Sequence, residues 1–160
     1  MPIPDETLSI QDLIARALTL DDQDDARWDC VRALQDRGDA DVLEAAQALC
    51  VSPDAHEREL GVDILAQGQV ANKTLREQSV PLLLGMMEQE TDRDVVYSLC
   101  CAFGHLHDER AIEPVLRWAR HPDAEIRFAV VFALLGYEND RAIKALILLS
   151  LDDDTDVRDW

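Results

Sequence analysis

Apolar residues recur every three to four positions along nearly the whole chain. Ile112, Val115, Leu116 and Ala119 form one such run; Ile126, Val130, Ala133, Leu134 and Tyr137 form the next. This spacing places apolar side chains on one face of an α-helix. No segment shows the strict alternation of a half-buried strand. The runs predict helices over 7–20, 24–37, 40–51, 54–67, 76–90, 93–106, 109–120, 123–137 and 140–151, with a stub from 154. Asp54, Asp92, Asp123 and Asp154 stand where helices begin, and a side-chain oxygen there caps free N–H groups. Pro53 and Pro122, one residue earlier, punctuate the preceding turns.

The pattern repeats. Arg110-Ala111-Ile112 returns 31 residues later as Arg141-Ala142-Ile143, and Pro122 to Arg127 lies over Asp153 to Arg158. A step of 31 upstream sets Asp92 to Val96 over Asp123 to Arg127. Ser52 to Arg58 repeats His121 to Arg127 at a spacing of 69, two periods plus seven residues. The surplus falls in Gly68 to Gln78, which reads as one long loop. A last step places Gln23 to Arg27 at the front. Five occurrences at one period imply stacked two-helix units. Residues 1–160 form a single repeat domain with units of roughly 7–37, 40–67, 76–106, 109–137 and a truncated 140–160.

Asp123-Ala124-x-Ile126-Arg127, then Ala133-Leu134-Leu135-Gly136 and Asp140-Arg141-Ala142-Ile143, resembles the HEAT repeat in its short, phycobilisome-lyase-like form. The resemblance covers the chain from about residue 7 and implies an all-α fold: a right-handed α-α superhelix, a HEAT-like solenoid of about four and a half units. Armadillo-like units need about 40 residues, and tetratricopeptide units need 34 with a Trp/Gly/Tyr pattern that this sequence lacks. The second helices of HEAT-like arrays line the concave side. Asp25, Trp28, Arg32, His56, Glu59, Asp63, Asp94, Tyr97, Cys101, Glu125, Phe128 and Phe132 would then face away from the stack. Of these, Trp28, Glu59, Asp63, Asp94, Tyr97, Glu125, Phe128 and Phe132 are expected to contact a partner, because aromatic rings rimmed by carboxylates suit a binding hot spot. The competing reading for Phe128 and Phe132 is simple packing between helices.

Arg27, Arg58, Arg127 and Arg158 follow Gln23, Asp54, Asp123 and Asp154 by four residues each. Equivalent positions stack in a solenoid, so the expectation is a stabilising ladder through Arg27, Asp54, Arg58, Asp123, Arg127, Asp154 and Arg158. Val96 holds the Arg position in the third unit and should break it. A phosphate-binding row is the alternative.

Charge weighs against that alternative. The chain has 33 acidic and 15 basic residues, a net charge of −18. Nucleic acids and anionic membranes need Lys and Arg contacts, so neither is an expected partner. HEAT-like DNA glycosylases need a basic concave face, which this balance hardly supplies. Hydrophobic content of 48% argues equally against a disordered acidic tail.

Candidate chemistry is sparse. His105 and His107 with Asp108 or Cys101 fall short of a convergent zinc set, which needs three or four ligands. Cys100 or Cys101 with His105 has helical spacing but no third orienting group. No phosphate-cradling Gly loop occurs. The expectation is no catalytic residue, no metal and no cofactor. Cys30, Cys50, Cys100 and Cys101 form no disulfide framework. With no secretory leader visible and no apolar run longer than Phe128 to Leu135, the expected location is cytoplasmic.

The reading is a non-catalytic interaction module for a protein partner of basic or mixed charge. The resemblance also admits a bilin-lyase-like subunit or a toxin-masking immunity protein. Helix 140–151, with Ile143, Leu146, Ile147, Leu148, Leu149 and Leu151, is apolar on nearly every face. It suggests a longer array or self-association through the C-terminal repeat.

Overall fold

The computed structural model describes residues 8–67 and 73–160, and every regular element among them is helical. In chain order these are α1 (Ile10–Ala17), α2 (Asp25–Arg37), α3 (Ala40–Cys50), α4 (Ala55–Gln67) and α5 (Lys73–Gln89). Then follow α6 (Arg93–Leu106), a 3-10 turn (Glu109–Ala111), α7 (Ile112–Leu116), α8 (Ala124–Leu134), α9 (Asp140–Leu149) and α10 (Thr155–Arg158).

Aspartate caps every second helix. Asp24, Asp92, Asp123 and Asp154 accept N–H bonds from the first turns of α2, α6, α8 and α10. Asp54 accepts from His56 and Glu57 at 2.9 and 3.2 Å. Each bond satisfies an otherwise orphaned donor, which is why these helices start where they do.

Four expected boundaries shift. The helix expected over 7–20 ends at Ala17. The helix expected over 109–120 is regular only over Ile112–Leu116. Beyond it Trp118 and Ala119 bond three residues back, to Val115 and Leu116, so the helix tightens into turns. Helix α8 stops at Leu134 rather than 137, because Leu135 turns extended and Gly136 adopts φ +82°. The loop expected over Gly68 to Gln78 is shorter on one side, since α5 already begins at Lys73. Residues 68–72 of that loop lie outside the described residues.

The helices form two rows. The second helices pack in the order α2, α4, α6, α8, α10, and the first helices α3, α5, α7, α9 pack behind them. One apolar core runs between the rows through Leu34, Leu60, Leu65, Leu99, Phe103, Ile126, Val130 and Leu134. Helices α3 and α4 pack tightly at Gly61, where a Cβ would lie 2.8 Å from the Cys50 nitrogen and 2.9 Å from the Ala46 oxygen. The row of second helices carries the candidate site.

Candidate functional site

A groove of about 1080 Å³ runs along the second-helix row. Trp28 of α2, Glu59 and Asp63 of α4, Asp94 and Tyr97 of α6, and Glu125, Phe128 and Phe132 of α8 all line it. All eight sequence-derived candidates thus share one space. Helical spacing explains this: positions four apart on α6 and α8 (Tyr97/Cys101, Phe128/Phe132) repeat on one face of each helix.

Other lining residues are not among the partner contacts expected from the sequence: Asp22, Arg93, Asp156, Asp159 and Trp160, and Asp154, expected there only as a cap and ladder residue. Trp160 packs edge-on against Phe128 and Phe132, with ring centroids 5.4 and 5.9 Å apart. His105 also packs edge-on against Phe132, with ring centroids 5.1 Å apart. Arg93 is the one Arg or Lys among the described lining residues. It donates to Asp123 at 2.6 Å and also pairs with Asp94 and Glu125.

Glu59 and Asp63 differ from the expectation of outward-facing contacts. Both are only 6% exposed. They sit at the floor because α4 is packed between α2 and α6.

The Arg positions also pair differently than expected. Arg58 donates through Nε and Nη2 to Glu90 at 2.8 and 3.1 Å, and Arg127 does the same to Asp152 at 2.8 Å twice. The carboxylate in each rung therefore stands two residues before the cap of the next second helix. Asp54 and Asp154 serve as caps, and Asp123 adds the ion pair to Arg93. Each cap commits Oδ1 to N–H groups of its own helix, while Glu90 and Asp152 lie across the interface within reach. Arg58, Arg127 and Arg158 each also donate to the carbonyl six residues earlier, Ser52, His121 and Asp152, at 2.8 to 3.0 Å. Val96 is fully buried where an Arg would stand, and the turn opposite carries His121 instead of a carboxylate.

Arg27 leaves the ladder altogether. Counted from its cap Asp24, the ladder position of α2 is Trp28, whose Nε1 donates to the Asp22 carbonyl, also six residues earlier, at 2.9 Å. Arg27 stands one residue early, where α6, α8 and α10 carry the core residues Val95, Ile126 and Val157. It is fully buried and reaches into α4, with nitrogens 2.9 Å from Asp63, 3.5 Å from Glu59 and 3.6 Å from Asp22. Burial, then the neighbouring Asp63 charge, push the Glu59 carboxyl up to about 7. Burial likewise raises Asp63 against the opposing pull of Arg27.

Residues 80–160 match the HEAT repeats family. The chain belongs to the HEAT-repeat family. No curated protein matches it. HEAT repeats generally mediate protein–protein interaction or scaffolding. In this HEAT-repeat protein the Arg58–Glu90 rung lies partly, and the buried Arg27 cluster wholly, before the matched segment.

The remaining chemical candidates sit in packing roles. His107 adopts φ +51° at the end of α6 and packs on Tyr137, with ring centroids 4.6 Å apart. Burial pushes the Cys101 thiol up to about 12, and raises Cys100 further, so neither is a thiolate at neutral pH. Among the described residues one trio could converge on a cation: Asp22, His56 and Glu59, with ligand atoms all within 4.8 Å. No helix among the described residues is long and apolar enough to cross a membrane.

Proposed function

We propose that this HEAT-repeat chain is a non-catalytic interaction module that holds a protein partner, basic or mixed in charge, along the second-helix groove. The observation that carries this reading is the lining of the groove. Carboxylates and aromatic rings from four successive second helices face one space, with a single Arg or Lys among the described lining residues. Aromatic anchors within a charged rim are the usual anatomy of a protein-binding hot spot. A net charge of −18 would speed encounter with a basic partner and make it salt-sensitive. Four free cysteines suit a reducing compartment, and the proposed setting is the cytoplasm.

Affinity capture with the wild-type chain and with Tyr97→Ala and Phe128→Ala tests the reading. A defined partner retained by the wild type, reduced by both variants and released above about 0.5 M salt supports it. Capture that is indifferent to both variants overturns it.

A second surface supports self-association. Helix α9 and the turn after it expose Ile147 at 58%, Leu148 at 61% and Leu151 at 76%. Ile143 on the same helix is also exposed. Clustered apolar exposure of this kind marks an interaction surface more often than a bare monomer face.

A further inference from the structure

The α2–α4 end of the groove differs in chemistry from the rest. Where α6 carries Tyr97 and Cys101, and α8 carries Phe128 and Phe132, the equivalent residues of α4 are Glu59 and Asp63. Both carboxylates are buried yet line the groove, and Asp22 joins them from the turn before α2. Three carboxylates therefore share one guanidinium, that of Arg27. The shortest contact, 2.9 Å, is the ion pair of Arg27 with the buried Asp63 Oδ2, so a single positive charge answers all three. Trp28 on α2 and Tyr97 on α6 line the same groove on the helices either side of α4.

Resting on the groove reading above, we propose that Asp22, Glu59 and Asp63 form a socket for one lysine or arginine side chain of the partner. The entering cation would add a second positive charge beside Arg27. Its aliphatic stem would lie along Tyr97 and along Trp28, whose ring already carries the Arg27 guanidinium 5.4 Å from its centroid. A divalent metal suits the place less well. Arg27 stands 3.6 Å from Asp22 and 3.5 Å from Glu59 and would repel a double charge twice as strongly.

Occupancy is linked to a proton. The groups facing Glu59 are Asp22 before α2, Arg27 on α2, and His56 and Asp63 on α4. Tyr97, Ser98 and Cys101 approach from α6 with Asp25, Arg93 and Asp94 at the rim. Within this net-negative surround Glu59 holds a proton up to about pH 7. A bound cation replaces it, so binding strengthens as pH rises from 6 to 8.

The test uses fluorescein-labelled octalysine, read by anisotropy against the full chain at pH 6 and pH 8. Glu59→Gln is expected to weaken binding at pH 8 about tenfold. Glu44→Gln, which removes the same charge from the exposed side of α3, is expected to change it less than about twofold. Asp22→Asn, on a partly exposed residue, gives a second socket variant, and thermal melts confirm that each variant is folded. The rise in affinity from pH 6 to 8 should persist in His56→Ala and vanish in Glu59→Gln. Equal losses in Glu59→Gln and Glu44→Gln overturn the socket, as does a pH response that Glu59→Gln leaves intact. If Tyr97→Ala and Phe128→Ala still weaken binding in that case, the groove reading stands without the socket. If they do not, both fail. Titration with zinc and calcium is the remaining arm: a metal held in a His56-dependent manner overturns the assignment to a side chain.

Discussion

Arg127 and Asp152 meet through two parallel bonds, Nε to Oδ2 and Nη2 to Oδ1, each 2.8 Å long. The remaining nitrogen, Nη1, donates to the carbonyls of His121 and Pro122, and Asp152 also accepts the N–H of Asp154. One guanidinium thus ties the turn before its own helix to the turn that starts the next second helix. Planar two-point pairing of this kind is stronger and more directional than a single contact. Arg58 and Glu90 repeat it two units earlier, with Glu90 accepting from Thr91 and Asp92. Such rungs couple neighbouring units, and nearest-neighbour coupling is what makes a solenoid cooperative.

Removal of a rung should therefore be felt across an interface. Arg127→Ala is expected to cost about 1–3 kcal/mol, through bonds lost from a charged group. Arg127→Lys should recover less than half, because an ammonium cannot span both oxygens. Arg127 holds the Asp152 carboxyl below its usual range. A depressed folded pKa gives stability above the unfolded value that fades as pH falls through the folded one. The gap between wild type and Arg127→Ala in thermal melts should accordingly close on acidification below about pH 4. A gap independent of pH would show that packing, not the ion pair, carries the rung.

Glu59 has the opposite sign. Its folded pKa is raised to about 7 from an ordinary 4.5, so the native state holds a proton that the unfolded chain has already lost. Stability must then fall as pH rises through that window. Glu59→Gln removes the penalty. The melting temperature of Glu59→Gln, relative to wild type, should rise between pH 5 and pH 8; parallel curves would sink this account.

Two glycines separate propensity from packing. Ala is favoured over Gly in a helix by about 1 kcal/mol. At Gly85 nothing lies within 4 Å of the place an added methyl would take, so Gly85→Ala should stabilise by about that amount. At Gly61 the methyl would meet backbone atoms of α3 at 2.8 and 2.9 Å, which a helix cannot yield without shifting. Gly61→Ala should destabilise by about 1–3 kcal/mol despite the propensity gain. Chemical denaturation of both variants decides the matter.

The exposed apolar face of α9 is expected to drive concentration-dependent association, visible by light scattering. Ile147→Glu with Leu151→Glu should abolish it while leaving the melt within a few degrees, since both side chains are more than half exposed. A wild-type chain that stays monomeric at high concentration would remove self-association from consideration.

Helix positions, caps and the two-helix repeat were legible in the residues because each depends on neighbours within one turn. Apolar spacing selects the buried face, and an Asp at the cap answers N–H groups two or three residues ahead. The composition of the groove followed for the same reason: residues on one helical face stay together however the helices pack. Arg27 shows where this reach ended. Alignment at a uniform period set it beside Arg58 and Arg127, yet only 30 residues separate the caps Asp24 and Asp54, so Trp28 takes the ladder position and Arg27 the core one. The partners Glu90 and Asp152 were equally hidden, as turn residues of another unit. A long side chain picks its partner from whatever the packed helices bring within about 3 Å. Only the tertiary structure decides that, and it decides burial too: Glu59 and Asp63 became the groove floor because α2 and α6 close over α4.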